Sequence, residues 1–353
     1  MGIVFAILIF SFLIFVHELG HFMAAKASGV QVNEFAIFMG PPLIKWTRGE
    51  TLYTIRCIPL GGYCAMEGEN AETDNPRSFQ KADWWKRLCI LLAGAAMNFV
   101  TGFLIFALVL STGKGFAQPV IAGADEGNTI VHEEGLHIGD RIVKVDGKRV
   151  FISSDVSMLL DLNAGDIHDL ELQRNGQIVV LNDFPMEKRA FDNGNGTSSM
   201  RYGIRFGYVE KTFGTLMSYT WNNCLSVVQN VWLSLEMLIS GQAGLNDVAG
   251  PVGIVSMMNE TAQESKTTQA AILNLLYIGA FIAVNLAVMN LLPIPALDGG
   301  RVVSLLLTVA IEKIVGRKID PKYEGFIHAA GMILLLGLMA VIMFKDIFVI
   351  FKG

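Results

Sequence analysis

The sequence predicts an α-helical polytopic membrane protein of about four spans, with a membrane-associated β-hairpin and one inserted α+β domain outside the cytoplasm. Three observations carry this prediction. Of the 353 residues, 52% are hydrophobic and 17% charged, against about 25% charged in an ordinary globular domain. Uncharged apolar runs of membrane length recur along the chain, and mean hydropathy is +0.47. One long segment between them instead alternates polar and apolar residues around turn signals. The net charge of −5 includes no basic run, so no nucleic-acid partner is expected. The lipid bilayer is the expected surroundings. Four cysteines, at 57, 64, 89 and 224, show no close pairing and no paired C-x-x-C motif, so neither a disulfide scaffold nor a zinc ribbon is supported.

A span needs about 20 mostly apolar residues. Residues 1–16 carry no charge, and the apolar run continues past His17, Glu18 and His21 to Ala25. It has no basic n-region, and cleavage near Ala25 or Ala27 would discard those three residues, so a span is expected rather than a signal peptide. Residues 88–113 and 267–297 are likewise uncharged, although Pro293 and Pro295 should break a helix in the latter. Residues 325–344 read as a clean span. The expected division is 1–113, with spans at about 1–25 and 88–113 and a hairpin at 43–58; a domain at 118–206; an interfacial helix and linker at 207–266; and 267–353, with spans at about 270–292 and 325–347.

Orientation follows from basic residues near the span ends. Lys26, Lys81, Lys86 and Arg87 flank the first loop, and Arg301, Lys313, Arg317, Lys318 and Lys322 fill the last. Both loops are therefore expected in the cytoplasm, where Cys57 and Cys64 would be reduced thiols. Both termini and segment 114–266 then face the other side of a cell membrane. Within that segment, Arg141–Val145 alternates into Asp146-Gly147, and Asp169–Arg174 pairs through Asn175-Gly176 with Gln177–Leu181. Both dipeptides are hairpin signals. Ser153 or Ser154 is expected to cap a short helix through Leu162. The uncharged but polar-rich stretch 212–235 reads as a helix at the outer interface or against the spans.

The chemistry is concentrated in His17-Glu18-Leu19-Gly20-His21, an H-E-x-x-H pattern. At 100° per residue the two imidazoles lie one turn apart on nearly the same helix face, where they can share a zinc ion with Glu18 beside them as a base. The pattern interrupts an apolar span, where a carboxylate costs at least about 2.5 kcal/mol at the centre. His17 would lie roughly 24 Å along that helix, within the hydrocarbon layer towards the cytoplasmic side. A catalytic zinc usually has three protein ligands and one open position. Elsewhere in the hydrophobic runs only Asp298 and His328 are ionisable candidates. Asp298 follows the Pro-broken segment, and irregular backbone inside a membrane is tolerated only where protein or a watery cavity surrounds it. His328 reads instead as a packing or interfacial histidine. Asp298 is the expected third ligand.

His17–His21 on the first span and Asn290…Leu297-Asp298-Gly299 on the third together resemble the site-2 protease family of intramembrane zinc metalloproteases. Gly250-Pro-Val-Gly-Ile254 and Ile58-Pro-Leu-Gly-Gly-Tyr63 extend the likeness over most of the chain. The string Gly135–Gly147 resembles the core of a PDZ domain. A single extracytoplasmic copy is similar to the bacterial group that cleaves anti-sigma factors. The resemblance implies hydrolysis of a peptide bond within the membrane, zinc on His17, His21 and Asp298, Glu18 as general base, and substrate contacts from Asn290, Pro293 and Pro295. It also implies substrates that are single-span membrane proteins such as anti-sigma factors or remnant signal peptides, already cut outside by a site-1-type protease. Gly94 and Asn98 on the second span read as packing residues. Two other classes stay open at this stage, a metal or ion transporter and an inactive PDZ scaffold. The absence of paired broken helices argues against the first and the intact Glu18 against the second.

Overall fold

The computed structural model describes residues 2–69, 73–125, 130–131, 135–163, 165–192, 198–244, 247–316 and 322–352. Of the basic residues used for orientation, Arg317 and Lys318 lie outside this set. The chain runs α1 (Gly2–Ala27), β1 (Val32–Arg48), β2 (Thr51–Met66), α2 (Trp84–Leu110), β3 (Gly115–Ala124), β4 (Arg141–Val145), β5 (Lys148–Arg149), α3 (Ser153–Leu162), β6 (Ile167–Arg174), β7 (Gln177–Pro185), β8 (Arg189–Asp192), β9 (Ser198–Arg201), β10 (Ile204–Glu210), α4 (Phe213–Ser240), α5 (Pro251–Glu264), α6 (Thr268–Asn290), α7 (Asp298–Val315) and α8 (Lys322–Lys352). Two compact units result, Met1–Phe106 with Asn230–Gly353, and Ala107–Gln229.

In the first unit four helices are long and apolar enough to cross a membrane, Gly2–Ala27, Trp84–Leu110, Thr268–Asn290 and Gly325–Phe348. The 28-residue α4 is not among them, because Asn, Ser, Thr and Gln punctuate it. The amino-terminal half of α1 packs with α5 and α6 through Ala6, Leu13, Met258, Leu275 and Ile282. Its other half packs on the hairpin, on α2 and on α7 through Ala25, Phe35, Met66, Ile90, Leu91 and Leu305. Phe15, Leu19 and Phe22, on and beside the His17–His21 turn, pack against this second cluster.

The hairpin is longer than 43–58 and folds back on itself. Phe35 pairs with Cys64 and also with Tyr53, so Glu34–Ile37 has partners on both sides, while Ile44–Arg48 pairs with Thr51–Ile55. Gly40 and Gly61 make the bends, both with positive φ (86° and 76°), which glycine adopts without a Cβ penalty. The segment expected as one interfacial helix and linker, 207–266, instead holds two helices, α4 and α5.

The second unit is a six-stranded antiparallel sheet, in the order β10-β3-β4-β6-β7 with β5 on β4, and α3 packs on it. Asp146-Gly147 and Asn175-Gly176 both take two successive positive φ values, the geometry of type I′ hairpin turns. The helix cap differs from expectation. Neither serine caps α3; the N-cap position is Ile152, and Asp155 reaches back to accept from the amides of Phe151 and Ile152 at 2.8 and 3.0 Å. Asp155 also accepts from the Ser226 hydroxyl of α4 at 2.5 Å.

A second buried carboxylate, Asp140, receives a two-pronged guanidinium contact from Arg174, at 2.8 and 2.7 Å, and the His137 amide at 2.8 Å. Burial opposes its ionisation, but the Arg174 and His137 hydrogen bonds outweigh that and hold its carboxyl below the ordinary range. A group with a depressed folded-state pKa contributes stability that is present above its unfolded pKa and lost as pH falls through the folded value. Arg174→Met is therefore expected to destabilise the protein by about 3 kcal/mol near neutral pH, by leaving a buried carboxylate unpaired. Thermal melting should show this deficit shrinking as pH falls below the ordinary carboxylate range, and Asp140→Asn combined with Arg174→Met should recover much of it.

Candidate metal centre

His17 and His21 leave α1 on one face, and Asp298 is the first residue of α7. Their ligand atoms form a nearly equilateral triangle. His17 Nε2 and His21 Nε2 lie 3.2 Å apart, and Asp298 Oδ2 lies 3.1 Å from the first and 3.3 Å from the second. Tetrahedral zinc with bonds of 2.0–2.1 Å gives ligand–ligand edges of about 3.3 Å. The triangle therefore has the dimensions of one face of a zinc tetrahedron.

Hydrogen bonding shows what the triangle encloses. His21 Nδ1 donates to the Ile90 carbonyl of α2 at 2.8 Å, which leaves the lone pair on Nε2. Asp298 Oδ2 is buried and accepts no hydrogen bond. Nitrogen lone pairs and a carboxylate oxygen at these distances repel one another unless a cation lies among them. The residues thus fit a divalent metal, and they are the one such group among the described residues.

Several features outside the ligand set shape this centre. The Leu291–Leu297 turn between α6 and α7 carries Ala296 at φ +82°, a left-handed conformation that costs a non-glycine residue of order 1 kcal/mol. His328 of α8 holds this turn by accepting the Ala296 amide on Nδ1 at 3.1 Å. His328 therefore reaches the Asp298 turn, a role finer than packing alone. The first turn of α7 lies directly on the same segment. A Cβ at Gly299 would meet the Leu291 carbonyl at 2.3 Å, and one at Gly300 the Ile294 carbonyl oxygen at 2.2 Å. The Asp298 carboxylate sits at the amino-terminal end of α7, where the helix dipole favours negative charge. One turn on, Arg301 pairs with Glu69 from the loop after β2.

Glu18 lies within electrostatic reach of both histidines and Asp298. The Gly61-Gly62 stretch of β2 runs beside it, with a Cβ position at Gly62 only 3.5 Å from Glu18 Cγ. Asn290, the last residue of α6, places its side-chain nitrogen 3.5 Å from His17 Nδ1. Pro295 instead packs beneath Gly331 of α8, and Pro293 is exposed, so neither joins the triangle.

Two further residues face the centre and are missed as site residues by sequence reasoning, which assigns them to packing. A Cβ at Gly94 would lie 2.4 Å from His21 Nε2 and 2.7 Å from His17 Cε1, so α2 can approach the histidines only with glycine there. Asn98, one turn further, brings its side-chain nitrogen to 3.4 Å from His17 Nδ1. Their signal in the sequence is the i, i+4 spacing on an apolar helix, which helix packing alone also produces. Gly94→Ala is expected to displace the histidines and lower metal content at least tenfold. Gly337→Ala on α8, where a Cβ meets nothing within 4 Å, should leave it unchanged. Elemental analysis of the two purified variants checks this.

Comparison with known proteins places these residues in a family context. The model of peptidase family M50 matches residues 5–338. A Clostridium perfringens protein provisionally named a zinc metalloprotease is 38% identical over 349 residues, covering 98% of each chain. A Fusobacterium nucleatum protein with the same provisional name is 31% identical over 355 residues, again 98% of each. The regulator of sigma-W protease RasP of Bacillus subtilis is 26% identical over 423 residues, covering 97% of each chain.

Proposed function

The chain belongs to peptidase family M50, and on that premise we propose that it cleaves single-span membrane proteins within the bilayer, with His17, His21 and Asp298 as zinc ligands and Glu18 as general base. It is a zinc metalloprotease and an integral membrane protein. The observation that carries the finer reading is the triangle of two imidazole nitrogens from α1 and a carboxylate oxygen from α7, with the Glu18 carboxylate within electrostatic reach.

When bound, zinc supplies Lewis-acid activation of a water and polarisation of the scissile carbonyl. The residues of the chain do the rest. Asp298 brings a charge that offsets the cation, and the Ile90 carbonyl keeps the His21 lone pair aimed into the site. Glu18 takes the proton of the attacking water on its carboxylate and delivers it to the leaving amine. A substrate helix must unwind before its carbonyls can be reached, because they are otherwise hydrogen-bonded along the helix. Asn290 is placed to bond unwound substrate backbone, with Pro293 and Pro295 shaping the segment that bears it. Strand addition to the β1–β2 hairpin would hold the substrate extended, and the run of Gly61-Gly62 past Glu18 supports that route.

In this reading the site lies towards the cytoplasm. Both termini and the β3–β10 sheet domain, read as a single PDZ-like module, face outwards and sort or dock substrates already trimmed by a site-1-type protease. The name of the B. subtilis relative, a regulator of sigma-W protease, supports anti-sigma factors as the first substrates to try, with remnant signal peptides second.

Co-expression with a tagged, outwardly pre-trimmed single-span substrate tests the proposal. Wild type should yield a shortened cytoplasmic fragment, and Glu18→Gln should yield none while retaining zinc. A fragment of equal amount from both would assign the cut to another protease and refute Glu18 as the base. Asp298→Ala should lose both zinc and cleavage.

A further inference from the structure

The surroundings of His17 contain a conflict that identifies the residue holding it. His17 faces the ligand triangle with Nε2. A neutral imidazole that offers its Nε2 lone pair to a metal carries its proton on Nδ1, and that N–H needs an acceptor. For His21 the acceptor is the Ile90 carbonyl. At His17 Nδ1 the neighbours are two carboxamide nitrogens, Asn98 Nδ2 at 3.4 Å and Asn290 Nδ2 at 3.5 Å. Three donors cannot face one another there, so one of the two amides must present its oxygen.

Burial and distance point to Asn98. Asn98 is 1% exposed, and its Oδ1 is buried with no hydrogen-bond partner. A half-turn about its terminal torsion exchanges oxygen and nitrogen with almost no change of shape. That one rotation gives His17 Nδ1–H an acceptor and the oxygen a donor, and it carries the amide NH2 to the place the oxygen leaves. The separation then needs to shorten by only a few tenths of an ångström to be an ordinary N–H···O bond. Asn290 is only half-buried, lies slightly farther from His17 Nδ1 and has no stranded oxygen. Nothing in the accounting asks it to turn.

We propose that Asn98 is the positioning residue of the centre: its carboxamide oxygen accepts the His17 Nδ1 proton and so fixes the tautomer and ring plane with which His17 meets the metal. Asn290 thereby keeps its NH2 as a donor for substrate. Gly94, one turn earlier on the same face of α2, lets that helix come close enough for the contact. The assignment rests on the zinc site proposed above and adds the support of its first ligand.

The test is metal retention, read separately from cleavage. Purified full-length protein is loaded with zinc and titrated with a competing chelator, for wild type, His17→Ala, Asn98→Leu and Asn98→Asp. Removal of such a supporting hydrogen bond typically costs 10–100-fold in metal affinity. Asn98→Leu should show that loss. Asn98→Asp cannot donate in its charged form but keeps the acceptor, so it should stay within about threefold of wild type or bind more tightly. Should the Leu variant not be recovered folded, Asn98→Ala makes the same comparison. Wild-type affinity in the Leu or Ala variant would overturn the assignment, and so would an Asp variant as weak as Leu. If wild type bound no more zinc than His17→Ala, the metal site itself would fall and this inference with it.

Discussion

Everything in the membrane-spanning unit is subordinate to one electrostatic demand. Two imidazole nitrogens and a carboxylate oxygen are held 3.1–3.3 Å apart, the imidazoles on a helix whose other side chains are nearly all apolar. Such an arrangement is repulsive by itself and becomes cohesive only around a cation, since bound metal ions are the largest local charges in such a site and invert its electrostatics. With the proposed ligands, metal affinity and the packing of α1, α2 and α7 are thermodynamically linked.

The fold meets this demand with backbone rather than with bulk. α2 supplies a carbonyl to His21 and a bare glycine where a side chain would strike both rings. α7 begins with two glycines so that its first turn can rest on the segment it has just left, and the left-handed Ala296 turns the chain into that position. The far helix α8 contributes one histidine to the turn and, near its other end, the Asp346 carboxylate, which accepts the Gly253 amide of α5 at 2.9 Å. Rigid elements meeting at small residues place a ligand more accurately than loops do.

Much of this was legible in the residues alone, for identifiable reasons. H-E-x-x-H lies on one helix face, so its geometry follows from helical periodicity, and charge is so scarce in apolar runs that Asp298 stands out as a candidate to join the two histidines, beside which the fold places it. The hairpin was legible only in its outer half. Its inner pairing continues across Gly40-Pro41-Pro42 and Pro59-Leu60-Gly61-Gly62, where bends interrupt the alternation that marks a strand. α7 was hidden because a helix opening on Asp-Gly-Gly reads as loop until the close approach to Leu291 explains the glycines. The part played by Asn98 could not be read at all. An asparagine in an apolar helix has the same signature whether it bonds a neighbouring helix or a ligand imidazole, and only the placement of a hydrogen-bond orphan separates the two.

The spread of the three proposed ligands along the chain also bears on the order in which the site is assembled during synthesis. His17 and His21 arrive with the first helix, but Asp298 stands at the start of α7, after α1 to α6. A nascent chain released before that point carries a pair of imidazoles and a base but no closed metal triangle. In the proposed mechanism, cutting power therefore comes only after α1 to α6 have been made.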